Sequence, residues 1–477
     1  MSRHLSGFHI VAVLILGLLI LTGCDNKEQE ESPAVTQTHE GILDIQIIET
    51  QSGIKAWLVE DHSVPLISMH FAFRGAGAAL DPIDKQGLTQ LASNTFDEGA
   101  GDYDAETFQK TLTDNSISLR FVSQRDYFGG TLKTLTRKKD LGFHLLNQAL
   151  LHPRFDAAPL ERMRNANIAR LKHALSDPDW IAARFINDIA YEGHPYAMNS
   201  GGTLETLQNI TAADLHKFAQ TRLSRDNLMI GIVGDLNESE AKDLIDSTFG
   251  DLPETSDLPE TSDLPKTAKL ALQNKGTTTL HEMDIPQSVL RMVLPAPAKN
   301  DPHYFSAQVM NYILGGGGFG SRLMEEIREK RGLTYGIYSY LFHMNKIDTL
   351  VLSTSTKTES TAEMLSVIRQ EIKHFKDNGP TEKELDDAKS YIVGSMPLGL
   401  TSTDKISSLL LSLQIQGLPV DYLDQAATGI GQVTTEDVTH AARTWLNEDD
   451  FITMIVGNPD QETLQIDTVR EDIPNAD

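Results

Sequence analysis

Cysteine is almost absent from this chain: its 477 residues contain one, Cys24. A single thiol excludes any disulfide within the chain, so no covalent cross-link stabilises the fold. Cys24 follows an apolar stretch from Ile10 to Leu21 and the residues Thr22-Gly23, and the chain after it becomes abruptly polar. This order is typical of a signal peptide that ends at a lipid-attachment cysteine. It predicts cleavage before Cys24 and a lipid on its thiol.

A hydrophobic run long enough to span a membrane is also lacking. The stretch from Ile10 to Leu21 is shorter than the ~20 residues that a helix needs to cross a bilayer. We therefore expect residues 1–23 to be removed as a signal peptide and residues 24–41 to act as a flexible tether. Asp25, directly after the lipidated residue, resembles the signal that retains bacterial lipoproteins in the inner membrane. The expected location is the bacterial cell envelope, with a lipid anchor in the inner membrane and the body in the periplasm.

Basic residues are in the minority, since 41 Lys and Arg stand against 67 Asp and Glu for a formal net charge of −26. A chain of this charge is repelled by phosphate backbones, so nucleic acid is not an expected partner. The sequence also lacks the Gly-x-Ser-x-Gly motif of a serine nucleophile elbow. These absences argue against a nucleic-acid-binding protein and against a hydrolase that works by itself with a serine.

A repeated hexapeptide separates two similar halves. From Asp251 the chain reads DLPETSDLPETSDLPKT, which has a proline in every copy and no apolar periodicity, as is typical of an extended linker. On either side the same signals recur at an offset of about 220 residues: the segment 210–215 matches 433–438, and 230–235 matches 453–458. Each matched pair predicts a helix with a capping threonine followed by a strand and a turn.

These signals define the expected domain organisation. Residues 42–250 are the first half, 251–267 the linker, 268–465 the second half and 466–477 an acidic tail. Alternating segments at 66–73 and 289–294 predict strands, and 158–175 and 381–393 predict helices. Strands beside hairpin-like turns, mixed with long helices, predict an α+β fold. We expect two similar α+β halves that face each other across the linker and enclose a chamber.

Two segments resemble the pitrilysin or insulinase family of zinc metallopeptidases. Gly87-Leu88-Thr89-Gln90-Leu91-Ala92-Ser93-Asn94 resembles the first helix of that family. In the second half, residues 315–323 and 327–335 resemble its glycine-rich loop and its arginine and tyrosine pair. The resemblance covers about residues 42–460 and is to the half-length branch, which works as two subunits.

The zinc motif of the family is missing. Active members carry His-x-x-Glu-His on the first helix, and Gln90, Ser93 and Asn94 stand at those three places. A carboxamide is a poor zinc ligand, and a serine hydroxyl is not a base near neutral pH. The resemblance places the third ligand, a glutamate, around residues 168–171, where no carboxylate occurs, and no two of the 15 histidines are three or four residues apart. We expect no metal in this chain and an ordinary packing or bonding role for these three side chains.

The second half retains the family's other functional residues. The resemblance implies that Arg328 and Tyr335 hold substrate carbonyls in a composite site, beside zinc that is carried by a partner subunit with the His-x-x-Glu-His motif. It also implies that the glycine-rich loop binds the peptide substrate, through residues Gly316, Gly317, Gly318 and Phe319. The predicted function is the non-zinc-binding subunit of an envelope metallopeptidase that is inactive alone.

Simpler interpretations of these residues stay open. Arg328 lies three residues after Glu325 and is also consistent with a surface ion pair on a helix. Tyr335, Tyr338 and Tyr340 are consistent with a strand that has one buried aromatic face. The glycines are consistent with the end of a helix at Leu314. The alternative function is a catalytically inert peptide-binding or scaffold protein of the envelope.

Overall fold

A computed structural model describes residues 37–39, 41–256, 258 and 270–474. The predicted signal peptide, Cys24 and most of the linker lie outside the described residues. Within these ranges, no helix combines the length and the apolar character needed to cross a membrane.

The first half contains one sheet and the helices that pack against it. Its strands are β1 Gln37–His39, β2 Ile45–Glu49, β3 Lys55–Glu60, β4 Leu66–Arg74, β5 Ser118–Ser123, β6 Tyr127–Leu135 and β7 Leu228–Gly234. Its helices are α1 Leu88–Ser93, α2 Ala105–Asp114, α3 Lys139–Leu151, α4 Ala157–Ala174, α5 Pro178–Ala190, α6 Thr206–Asn209, α7 Ala212–Arg222 and α8 Glu238–Phe249.

The second half is built in the same way. Its strands are β8 Thr278–Glu282, β9 Gln287–Pro295, β10 Ile337–His343, β11 Asp348–Lys357, β12 Ile452–Gly457 and β13 Thr468–Val469. Its α-helices are α9 Tyr304–Asn311, α10 Thr361–Asn378, α11 Glu382–Ser395, α12 Thr403–Ile415, α13 Tyr422–Gln432 and α14 Thr435–Trp445. Short 3₁₀ turns join many of these elements.

The two sheets have the same topology. The first is ordered β5-β6-β4-β7-β3-β2-β1 and the second β10-β11-β9-β12-β8-β13, so the first five positions correspond one to one. In each sheet the first four strands pair antiparallel with one another, and the fourth pairs parallel with the fifth. The predicted α+β class with two similar halves is confirmed. The enclosed chamber stays a prediction.

Local sequence signals located the elements well. The predicted strands at 66–73 and 289–294 are β4 and β9, and the predicted helices at 158–175 and 381–393 are α4 and α11. Both capping boxes form, with Thr211 capping α7 and Thr434 capping α14. Each of these threonines accepts from the backbone N–H three residues on, and an aspartate there accepts from the threonine N–H, which satisfies the free groups at the helix start.

The halves exchange one helix each. Helix α5 of the first half packs on β9 and β12 of the second sheet, where Ile181, Phe185 and Ile189 join a buried cluster with Val293 and Met454. Helix α12 of the second half packs on β4 and β7 of the first sheet. Since the remaining helices of each half pack in a separate cluster on their own sheet, each sheet depends on the other half for one of its covers.

The contact of α12 with the first sheet is close and partly polar. Ser68 and His70 on β4 hydrogen bond Thr403 and Ser407 on α12, at 2.9 Å between hydroxyl oxygens and 2.8 Å between His70 Nδ1 and Ser407 Oγ. Burial lowers the pKa of His70, which favours the neutral ring in this contact. Gly231 on β7 lies beneath the helix, and a Cβ there would be 2.7 Å from Leu410 Cβ. Only a glycine lets the strand and helix approach this closely.

Both chain ends extend the fold further than predicted. The predicted tether reached residue 41, but β1 pairs with β2, and His39 Nε2 lies 3.0 Å from Asp424 Oδ2. The fold therefore includes Gln37–His39, which lie inside the range predicted as the tether. At the other end, β13 pairs with β8, and Arg184 on α5 donates to the carbonyl of Pro474 at 3.2 Å. The acidic tail is thus attached to the second sheet through β13 and to α5 through Pro474.

The exchange of α12 predicts a strong effect of a single methyl group. Gly231→Ala should lower the free energy of unfolding by about 1–3 kcal/mol, because the new Cβ forces β7 and α12 apart. Thermal and urea unfolding followed by circular dichroism measure this. Gly431→Ala on α13 is the control, since no atom lies within 4 Å of its Cβ position; it should be neutral or stabilising. Equal stabilities of the two variants would contradict the close contact.

Candidate functional site

Helix α1 is fixed in place by a buried ion pair. Asp81 accepts from the backbone N–H and hydroxyl of Thr89, at 3.0 and 2.6 Å, and pairs with Arg222 at 3.1 Å. Burial raises the pKa of Asp81, and Arg222 opposes that shift. Gly87 begins the helix with a φ of +89°, and a Cβ there would collide with the backbone of Gly202. The start of α1 is thus set by buried groups and a close backbone contact.

The side chains at the expected zinc positions bond to one another. Gln90 Nε2 donates to Ser93 Oγ at 3.3 Å and to Asn94 Oδ1 at 3.4 Å, and Ser93 Oγ donates to the carbonyl of Gln90 at 2.8 Å. Asn94 Nδ2 donates to Asn167 Oδ1 on α4 at 2.7 Å, and Arg170 also donates to that oxygen. We call Gln90, Ser93, Asn94 and Asn167 the amide cluster. It replaces ionic ligands with neutral hydrogen bonds.

Asn167 is the residue that the sequence interpretation missed. The third zinc position was expected at 168–171, whereas the side chain that reaches Asn94 is Asn167, one residue earlier. The spacing alone did not fix the phase of α4, which turns by about 100° per residue. Only the contact between α4 and Asn94 identifies Asn167, and the sequence does not show that contact.

The chemistry of this place does not fit zinc. Zinc is held by thiolates, imidazoles and carboxylates, and the amide cluster offers only amide and hydroxyl groups. In the described part of the chain, no group of three or more His, Cys, Asp or Glu side chains is arranged to hold a metal ion.

The glycine-rich loop is framed by two π-helical turns. Helix α9 ends at Asn311 and continues as a π-helix over Tyr312–Gly316, a 3₁₀ turn follows at Gly318–Gly320, and a second π-helix covers Met324–Glu329. The expected simple helix end at Leu314 is therefore wrong. π-Helical turns are rare and concentrate at functional sites, since they displace one residue from the regular helix.

The first three glycines of the loop are required by internal packing. Asn311 and Ser339 on β10 are bonded, with Ser339 Oγ donating to Asn311 Oδ1 at 2.8 Å. A Cβ on Gly315 would lie 2.6 Å from Ser339 Oγ, and one on Gly316 would lie 2.7 Å from Asn311 Nδ2. A Cβ on Gly317 would lie 2.8 Å from the carbonyl oxygen of Tyr312. These contacts explain the glycines without a ligand, so the predicted substrate contacts stay predictions.

The open side of the loop is at Gly318 and Phe319. Gly318 has a φ of +60° and no atom within 4 Å of its Cβ position. Phe319 is 69% exposed, and the guanidinium of Arg328 lies over its ring, 4.5 Å from the centroid. This part of the loop is available to a peptide.

Arg328 forms a surface ion pair, as the simpler interpretation expects, but with Glu329 and not with Glu325. Its Nη1 donates to Glu329 at 2.9 Å, whereas Glu325 pairs with Lys330. The π-helical turn and the stacking on Phe319 set the direction of the guanidinium. No hydrogen bond joins Arg328 to Tyr335 in the described structure.

Tyr335 points into solvent and precedes the strand. It is 86% exposed and lies two residues before β10 begins at Ile337. Tyr338 and Tyr340 on β10 are 50% and 38% exposed, while Ile337 is buried. The alternative of a buried aromatic face is therefore wrong: the aromatic side of this edge strand faces outward.

The exposed aromatic side chains are concentrated in the second half. Of the described Phe, Tyr and Trp residues, all that are exposed lie in the second half. They are Phe319, Tyr335, Tyr338, Tyr340, Phe342 and Tyr391, and we call the five that lie between residues 319 and 342 the aromatic surface. The exposed large hydrophobic side chains of the first half are aliphatic: Ile42, Val64, Ile83 and Val122. The alternation of Tyr338, Tyr340 and Phe342 was visible in the sequence, but not the side of the strand that solvent reaches.

The position of Asn167 predicts where a metal site can be rebuilt. The triple variant Gln90→His, Asn94→His, Asn167→Glu should retain about one zinc per chain after gel filtration, since Asn94 and Asn167 already touch. The control is the triple variant Gln90→His, Asn94→His, Arg170→Glu, which places the glutamate within residues 168–171, where the sequence predicted the third ligand. It should lose its zinc. Mass spectrometric metal analysis decides between them, and equal zinc in both would contradict the placement.

Comparisons with known proteins find a matching family model and similar proteins. A family model described as "Peptidase M16 inactive domain" matches residues 209–392. The Helicobacter pylori protein named "Non-peptidase homolog YmxG" is 27% identical over 414 residues, which cover 86% of this chain and 93% of that protein.

Solved structures have the same fold. The crystal structure of a peptidase M16 inactive domain from Pseudomonas fluorescens has a TM-score of 0.79 and 28% identity, and covers 88% of this chain and 98% of that one. A chain of complex III2 from Candida albicans, with Inz-5 bound, has a TM-score of 0.70 and 15% identity, and covers 86% and 95%. The resemblance drawn from the sequence is thereby confirmed: over most of its length the chain is similar to M16 peptidase-family proteins, among them ones described as an inactive domain or as a non-peptidase homologue.

Proposed function

We propose that this chain is the zinc-free subunit of a two-subunit peptidase of the bacterial envelope. It binds peptide and supplies Arg328 and Tyr335 to a composite site, which a zinc-bearing partner with the His-x-x-Glu-His motif completes. The observation that carries this proposal is the 86% exposure of Tyr335, whose hydroxyl makes no hydrogen bond within the described residues. An exposed, unpaired phenol at the end of a loop is suited to act on a substrate held by another chain.

Arg328 has donors left for such a substrate. Glu329 engages only Nη1, so the other N–H groups of the guanidinium are available for carbonyl oxygens. Stacking on Phe319 restricts the side chain, which reduces the conformational entropy lost when it binds. A guanidinium offers rigid, planar donors, and a phenol hydroxyl donates to an oxygen that gains negative charge.

The aromatic surface supports the association with a partner. Interfaces between proteins are enriched in Tyr, Phe and Arg, and the side chains that contribute most of the binding energy are often of these types. Here Phe319 stacks with Arg328, and Tyr335 and Tyr338 are exposed where the edge strand β10 begins. A monomer that exposed these rings to water would gain free energy by burying them.

A scaffold is the second candidate function. It is favoured by the amide cluster and by the relative that is named a non-peptidase homologue. The similar chain in complex III2 also belongs to a larger assembly. In this function the aromatic surface binds a partner, while Arg328 and Tyr335 contribute no chemistry.

Removal of one hydroxyl distinguishes the two functions. In the complex with the zinc-bearing partner, Tyr335→Phe should lower kcat for a fluorogenic peptide by about 10²- to 10³-fold, because a donor to the developing oxyanion is lost. Assembly should be unchanged, as measured by analytical ultracentrifugation. The control is Tyr391→Phe, which removes a hydroxyl from a tyrosine that is 61% exposed and lies outside the 319–342 segment. Unchanged kcat in Tyr335→Phe would favour the scaffold.

The envelope location has its own test. The processed chain should partition into the detergent phase of Triton X-114, since a lipid on Cys24 anchors it. Cys24→Ala should yield an unprocessed precursor without incorporated labelled palmitate. A wild-type chain that stays in the aqueous phase and takes up no label would contradict the lipid anchor.

A further inference from the structure

The amide cluster carries a hydrogen-bond donor that nothing in the described structure satisfies. Asn167 is 3% exposed, and its Nδ2 has no hydrogen-bond partner among the described residues. Its Oδ1 accepts from both Asn94 and Arg170. If the amide were rotated by 180°, its NH₂ group would face these two donors, which is unfavourable. The orientation of the side chain is therefore fixed. A buried N–H group without a partner costs about 1–3 kcal/mol, which a bound oxygen atom would recover.

A positive charge stands next to this donor. Arg170 lies one turn further along α4, is exposed, and makes no ion pair with any described residue. Glu98, which follows α1 in the chain, is paired with Arg162 of the same helix α4. The guanidinium thus has one bond to Asn167 and further N–H groups that no described carboxylate occupies.

The side chain of Gln90 in the amide cluster is weakly held. Gln90 is half-buried, and its Nε2 makes bonds of 3.3 and 3.4 Å, both at the long limit of a hydrogen bond. A rotation of this side chain breaks only these two long hydrogen bonds. Asn94 is also half-buried and keeps its bond to Asn167 during that rotation.

We propose that the amide cluster and Arg170 form a carboxylate-binding site for peptides. One ligand oxygen accepts from Asn167 Nδ2, and the other from Arg170, whose planar fork suits a carboxylate. The ligand is either the C-terminal carboxylate of a peptide or the side chain of an Asp or Glu within it. A place that holds a cation in zinc-bearing relatives here holds an anion, because neutral donors and a guanidinium have replaced the metal ligands. This site lies in the first half and does not depend on Tyr335.

Three peptides test the proposal and identify the source of the carboxylate. The full chain is titrated by isothermal calorimetry with three peptides. The first is acetyl-tetraalanine with a free C-terminal carboxylate. The second is the same peptide with a C-terminal amide, and the third is that amide with Glu at the third position. The plain amide should bind at least about tenfold more weakly than one of the two carboxylate peptides, since a charge-assisted hydrogen bond is lost. The carboxylate peptide that binds more tightly shows which source the site accepts.

Two variants locate the binding. Arg170→Gln removes the charge, and Asn167→Asp places a negative charge against the ligand at constant size; each should lower the affinity for the carboxylate peptide by about tenfold or more. Arg369→Gln, at another exposed arginine without an ion pair in the described structure, is the matched control and should leave the affinity unchanged. Melting temperatures report that the variants are folded.

Three outcomes would overturn the carboxylate site. Equal affinity for the plain amide and for both carboxylate peptides would show that no carboxylate is recognised. Equal losses in Arg170→Gln and Arg369→Gln would show that only general charge matters. No measurable binding of either carboxylate peptide would show that the donor of Asn167 meets water alone. Since Tyr335→Phe should not change this binding, failure here leaves the composite site untouched.

Discussion

Each of the two sheets has two apolar faces, and the helices of one half cover only one of them. Strands β7 and β12 are buried along their whole lengths, so both faces of each need a cover. The exchange of α5 and α12 supplies it. Fully burying a side chain such as Ile181 or Phe185 stabilises the fold by about 1.5–3 kcal/mol, and this is lost if the halves separate. Neither half is therefore expected to keep its structure without the other.

This constraint also places the two candidate sites. The exchanged helices occupy the centres of the sheets, so the edge strands β5 and β10 stay free of them, and α1 and α9 lie beside these edges. In the first half the edge carries the amide cluster, and in the second half the glycine-rich loop and the aromatic surface. One fold thus presents two different chemistries at equivalent positions. The zinc ligands were replaceable because α1 is anchored by Asp81, Arg222 and Gly87, none of which depends on a metal.

Local order was predictable from the sequence, and contacts across the chain were not. The capping boxes at Thr211 and Thr434 and the alternation in β4 and β9 depend on residues a few positions apart, so they were found at the right places. The apolar faces of α5 and α12 indicate burial but not which sheet receives them. Asn167 was missed because the rotation of α4 against α1 decides which residue faces Asn94. The π-helical turn that contains Gly315 has no distinguishing pattern in the sequence, and the packing of Gly315 against Ser339 depends on residues that are distant in the chain.

The central claim is that this chain works with a zinc-bearing partner. It is tested most directly by pulling the chain down from detergent-solubilised membranes of its own source and identifying the bound proteins by mass spectrometry. A half-length M16 relative with the His-x-x-Glu-His motif should co-purify at close to one copy per chain. Recovery of the chain with other envelope proteins or with none, and without such a relative, would contradict the composite peptidase.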